Sequence, residues 1–75
     1  MGEREAVVVQ VRPYSVHGVV HVEVVLGFED HHAETAQLGA ESVPAALAQG
    51  ERVVVRSVMQ TVVEITRRQD PPAVP

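Results

Sequence analysis

Valine and polar residues alternate along most of this chain, and the alternation has the period of two that marks half-buried strands. Residues 5–12, Glu-Ala-Val-Val-Val-Gln-Val-Arg, predict a first strand. Pro13-Tyr14-Ser15 predicts its end, because proline cannot donate to a ladder. Residues 18–28 predict a long second strand, with Glu29-Asp30 at its turn. Residues 32–38 predict a third, and Gly39 punctuates it. Ser42 is placed to N-cap a short helix over 43–49, with Pro44 in its first turn and Gly50 as the C′ residue. Residues 51–57 and 60–67 predict two further strands, or one bent strand kinked near Val58-Met59.

The order β-β-β-α-β-β predicts an all-β domain, a small OB-like five-stranded barrel with one short helix. It spans residues 5–67. The remainder, 68–75, carries three prolines and no periodicity, which predicts a disordered tail. Eighteen valines against one Ile and three Leu strengthen the strand reading.

The faces of the strands carry a second message. In the second strand Val20, Val22, Val24 and Leu26 share the expected core face, opposite Val19, His21, Glu23 and Val25. In the first strand Val7, Val9 and Val11 lie together and Val8 points away. In the fourth, Val53 and Val55 oppose Val54, Arg56 and Val58. Apolar residues on both faces of a chain too small for a large core predict a homo-oligomer.

Charge narrows the partners. The net charge is −4, with six arginines and no lysine. That balance disfavours nucleic acid, which requires clustered cations. One Tyr and one Phe leave few platforms for stacking bases. No apolar run approaches the ~20 residues of a membrane span. The start, Met1-Gly2-Glu3-Arg4-Glu5, lacks the features of a signal peptide, so the expected compartment is the cytoplasm. There is no cysteine, which removes disulfides and thiolate metal sites.

Gly18-Val19-Val20-His21-Val22-Glu23-Val24, then Ala36, Glu41-Ser42, Leu47 and Gly50-Glu51-Arg52-Val53, resemble the molbindin and TOBE domains. The resemblance spans about residues 6–66. It implies a small barrel that binds molybdate or tungstate as a homo-oligomer, with sites at subunit interfaces. The chain departs from the pattern at two motifs. Val58-Met59-Gln60-Thr61-Val62 stands for Lys-Ala-Ser/Thr-x-Val, and the opening Ser-Ala-Arg-Asn is absent. Gly39 also stands where the family has a threonine. The ligand positions so implied are Ser42 and Val43 at the helix N-terminus, Arg56 or Arg52 from the fourth strand, and Gln60 and Thr61. A helix N-terminus presents unpaired N–H donors to an anion.

Other chemistry finds little support. On one strand His17 and His21 would sit about 13 Å apart, too far to share an ion. The neighbours His31-His32 would point to opposite faces in a strand, and in a turn His31 with Glu29 or Asp30 would make a weak site. An interchain metal site using His21 across a symmetry axis is the remaining metal reading. Ser15, Ser42 and Ser57 lack the flanking glycines of a nucleophile elbow. Glu23 beside His21 reads as a surface pair more readily than as an acid/base couple, so no catalysis is expected. Two functional readings stand in front: an oxyanion-binding homo-oligomer, and a ligand-free assembly or protein-interaction module of the same fold. An OB-like nucleic-acid binder is the third.

Overall fold

A computed structural model describes residues 2–68. Five antiparallel strands form one sheet in the order β3-β2-β1-β4-β5. They are β1 (Gly2–Val16), β2 (Val19–Gly27), β3 (Ala33–Gly39), β4 (Arg52–Val58) and β5 (Thr61–Arg67). The all-β expectation holds, with boundaries within a few residues for all strands but the first. The sheet is open: no ladder joins β3 to β5 among the described residues, although those edge strands approach within 8 Å between Cα atoms. The five strands of the expected OB-like barrel are thus present as a curled sheet with a seam between β3 and β5. The proline-rich segment expected to be disordered lies, from residue 69 on, outside the described residues.

The first strand is longer than its sequence suggests. It runs through Pro13, which pairs with Val22, to a two-residue turn at His17-Gly18. Both turn residues have positive φ, 50° and 79°, the type I′ geometry that matches strand twist. In such a hairpin the last pair, Val16 and Val19, exchanges hydrogen bonds, and so does every second pair before it. By that count Pro13 turns its nitrogen away from β2. No β4 residue pairs with it on the other side, so the missing N–H costs no ladder bond.

Two bulges decide which valines face the core. Val8 pairs with Leu26 but Gln10 with Val25, so Val9 is the extra residue of β1. Before it, Ala6 and Val8 point inward; after it, Val11 does. The uninterrupted alternation that grouped Val7, Val9 and Val11 is thereby corrected: Val7 and Val9 are exposed and Val8 is buried. A second bulge makes Val63 the extra residue of β5, so Val62 and Ile65 both reach the core. The centre is Val8, Val24, Leu26, Val53, Val55 and Ile65, with Phe28 at its rim. Val20 is exposed, because β2 outruns the core at that end.

The expected helix over 43–49 is absent. A 3-10 turn, Ala40–Ser42, follows β3, and residues 43–51 pass across the core as a loop. Val43 and Leu47 pack on the core from this loop, the covering role that a helix would have served. The loop is fixed from outside. Arg67 Nη2 donates to the Ala45 carbonyl at 2.7 Å, and its Nε donates to Glu51 at 3.0 Å. Backbone bonds from Val8 N–H to Glu51 O (2.9 Å) and from Gly50 N–H to Val8 O (2.7 Å) close the other side. With those anchors, seven residues that include Pro44 gain little from forming a helix too short to be stable alone. No helix among the described residues is long and apolar enough to cross a membrane.

The turn between β4 and β5 holds Met59 at φ 51° and Gln60 at φ 68°, again type I′ but without glycine. Each side chain in that region opposes folding. Replacing Met59-Gln60 by Asn-Gly should raise stability by about 1 kcal/mol. Urea denaturation of the two proteins, compared by midpoint at equal slope, measures it.

Candidate functional site

The residues implied as oxyanion ligands fall into separate places. Ser42 closes the 3-10 turn and Val43 follows it in extended conformation, so Ser42 does not N-cap a helix and makes no side-chain cap. The backbone donors expected after Ser42 are not those of a helix N-terminus: Val43 N–H donates to the Ala40 carbonyl at 3.4 Å and closes the 3-10 turn. A carboxylate also stands nearby: Glu41 folds back over Gly39, where an added side chain would collide with it. Gln60 and Thr61 lie exposed at the start of β5, whereas the loop after Val43 is tied to the end of β5 through Arg67 and Ala45. Six residues of strand, ~20 Å, separate those ends. Within one chain the five positions are not gathered.

Arg56 is on the outward face of β4, paired with Glu64 at 3.4 Å. The pairing is general. Arg4 meets Asp30 at 3.8 Å, Arg12 meets Glu23 at 3.8 Å, Arg67 meets Glu51 at 3.0 Å, and Arg68 meets Glu5 at 3.0 Å. Arg52 has no acidic partner among the described residues, and neither has Glu29.

Both of these line one cavity of about 250 Å³. The ladder explains its shape. Arg52, Val7, Gly27 and Ala33 pair in succession across β4, β1, β2 and β3. Gly27 and Ala33 carry little or no side chain, and the neighbouring Val9 stands against Gly27. A larger, open cavity of about 500 Å³ lies between Arg4, Phe28, Glu34, Ser57 and Gln60. The Arg4 guanidinium covers the Phe28 ring there, 4.1 Å from its centroid.

The histidines are dispersed. His17 is in the first turn and His21 stacks on Tyr14, ring centroids 5.4 Å apart. His31 occupies a positive-φ turn position, and His32 lies 3.4 Å from Glu34. The described residues contain no cluster of three or more metal-binding side chains.

At the far end of the β1–β2 hairpin, Val16, Val19 and Val20 are 43%, 58% and 50% exposed. Val16 and Val19 form a cross-strand pair on one face, and Val20 pairs with Ser15 on the other. Here β3 stops at its pairing with His21, and β4 pairs with β1 only as far as Val7. The strand alternation in the sequence marks these valines as apolar, but only the register shows that neither neighbour reaches them.

A scan against protein-family models, a search of curated proteins and a search of solved structures each found no match to this chain.

The local geometry of Ser42 gives a direct expectation. A helix N-cap serine is worth about 0.5–2 kcal/mol. In the turn observed here Ser42→Ala should change stability by less than about 0.5 kcal/mol. Thermal and urea unfolding of the variant measure the difference.

Proposed function

We propose that the chain is a self-assembling small β module whose hairpin arm joins copies of it. The observation that carries this reading is the apolar tip of the arm. A two-stranded ribbon is marginal in water unless a third element covers it. Here the uncovered end carries valine on both faces, Val16 and Val19 on one and Val20 on the other. Covering them with a second copy removes apolar surface from water at about 25 cal/mol per Å². A chain of 75 residues has little core of its own to forgo that gain.

Oxyanion binding is the second reading. The strand order supports it, since three strands, a covering segment and two strands reproduce the arrangement that the resemblance implies. A site at a subunit interface, as the resemblance implies, would join residues of different copies. Molybdate or tungstate would then need the assembled form.

Two measurements separate these readings. Sedimentation equilibrium at micromolar concentration should give a mass above that of one chain. The double variant Val16→Glu, Val19→Glu should sediment as a monomer with an unchanged circular dichroism spectrum; a wild-type chain that is itself monomeric would refute the assembly reading. Calorimetric titration of the wild type with molybdate, tungstate and sulfate tests the second reading. Heats no larger than those of chloride would leave assembly as the function.

A further inference from the structure

We propose that the groove over Val7 and Gly27 binds a free amino acid with an apolar side chain, its carboxylate on Arg52 and its ammonium group on Glu29. The inference is independent of the hairpin arm, which lies at the other end of β1.

It begins with charges left over. Among the described residues five arginines already hold a carboxylate, so they have little to offer a further anion. Arg52 does not, and it stands at the edge of the cavity together with Glu29, which also has no ion-pair partner there. No ion pair joins the two. Arg52 and Gly27 are two ladder spacings apart, ~10 Å, and Glu29 follows Gly27 by two residues. Such a gap suits a small molecule that carries both signs of charge.

The rest of the lining is one ion pair and apolar residues. The Glu5 and Arg68 side chains satisfy each other at 3.0 Å along one wall. Val7, Gly27 and Phe28 supply the floor, with the Val9 side chain standing against Gly27. A simple anion would meet Glu29 as well as Arg52, and a simple cation the reverse. A zwitterion meets one favourable partner at each end. The volume, about 250 Å³, is below the range of drug-sized pockets and fits a single amino acid. An apolar side chain matches the floor. Both charged groups are solvent-exposed, so each ion pair adds little to the affinity.

Nuclear magnetic resonance of the ¹⁵N-labelled full chain tests the inference, with L-leucine as the probe at constant ionic strength. The expected result is saturable shifts of the Val7, Gly27 and Phe28 amides. The analogues 4-methylpentanoate and 3-methylbutylamine, each lacking one charge, should bind about threefold to fivefold more weakly, the span of one exposed ion pair. Arg52→Gln and Glu29→Gln should each weaken leucine by the same factor. Among the described residues neither side chain holds an ion pair, so both variants should keep the fold. Absence of saturable shifts at these amides, or equal binding of leucine and its singly charged analogues, overturns the proposal. So does a change of oligomeric state in either variant, measured by sedimentation, since Arg52 and Glu29 would then be meeting a second copy.

Discussion

The whole sheet depends on β1. Among the described residues it is the only strand that pairs both with the β2–β3 hairpin and with the β4–β5 hairpin. Its residues 2–7 bind β4 and its residues 7–16 bind β2, so the two halves overlap at a single position, Val7. Just beyond lies the extra residue, Val9. Without it Val8 and Val11 could not both face inward, and either the β4 half or the β2 half of the core would be turned to solvent. One inserted residue thus reconciles two registers on one strand. The local twist that a bulge adds also helps the sheet curl until its edges approach.

That crossing point also positions everything of functional interest. Where the two halves meet, Val7 stands between Arg52 and Gly27, and the cavity opens over it. Toward its C-terminal end β1 leaves β4 behind and becomes an arm. Toward its N-terminal end Arg4 lies over Phe28 and closes the rim of the core. Residues far apart in sequence therefore share surroundings because one strand carries them.

The strands themselves were legible because alternation of apolar and polar residues survives in them, carried by valine in all but β3, where Ala36 and Leu38 carry it. The bulges were not, since an extra residue shows only against the partner strand's register. The missing helix has a similar origin. Ser42, Pro44 and Gly50 satisfy the local rules for a helix start and stop. What overrides them is Arg67, 22 residues beyond Ala45, which holds the loop by its backbone. Of the ligand residues suggested by resemblance, Ser42 and Val43 presuppose that helix, and without it they form no helix N-terminus. The pair formed by Arg52 and Glu29 required knowing which charges were already taken, and no spacing along the chain records that.

Pro13 has one more consequence. Strand β1 has an unpaired edge beyond Val8, and bare edges are templates on which further chains can align without limit. With its nitrogen directed outward, Pro13 interrupts the row of donors that an incoming strand would need. Growth by backbone pairing is blocked there while the side-chain faces remain available. An incoming strand would thus lose its register of donors at that one point of the β1 edge, and a single imino acid makes the difference.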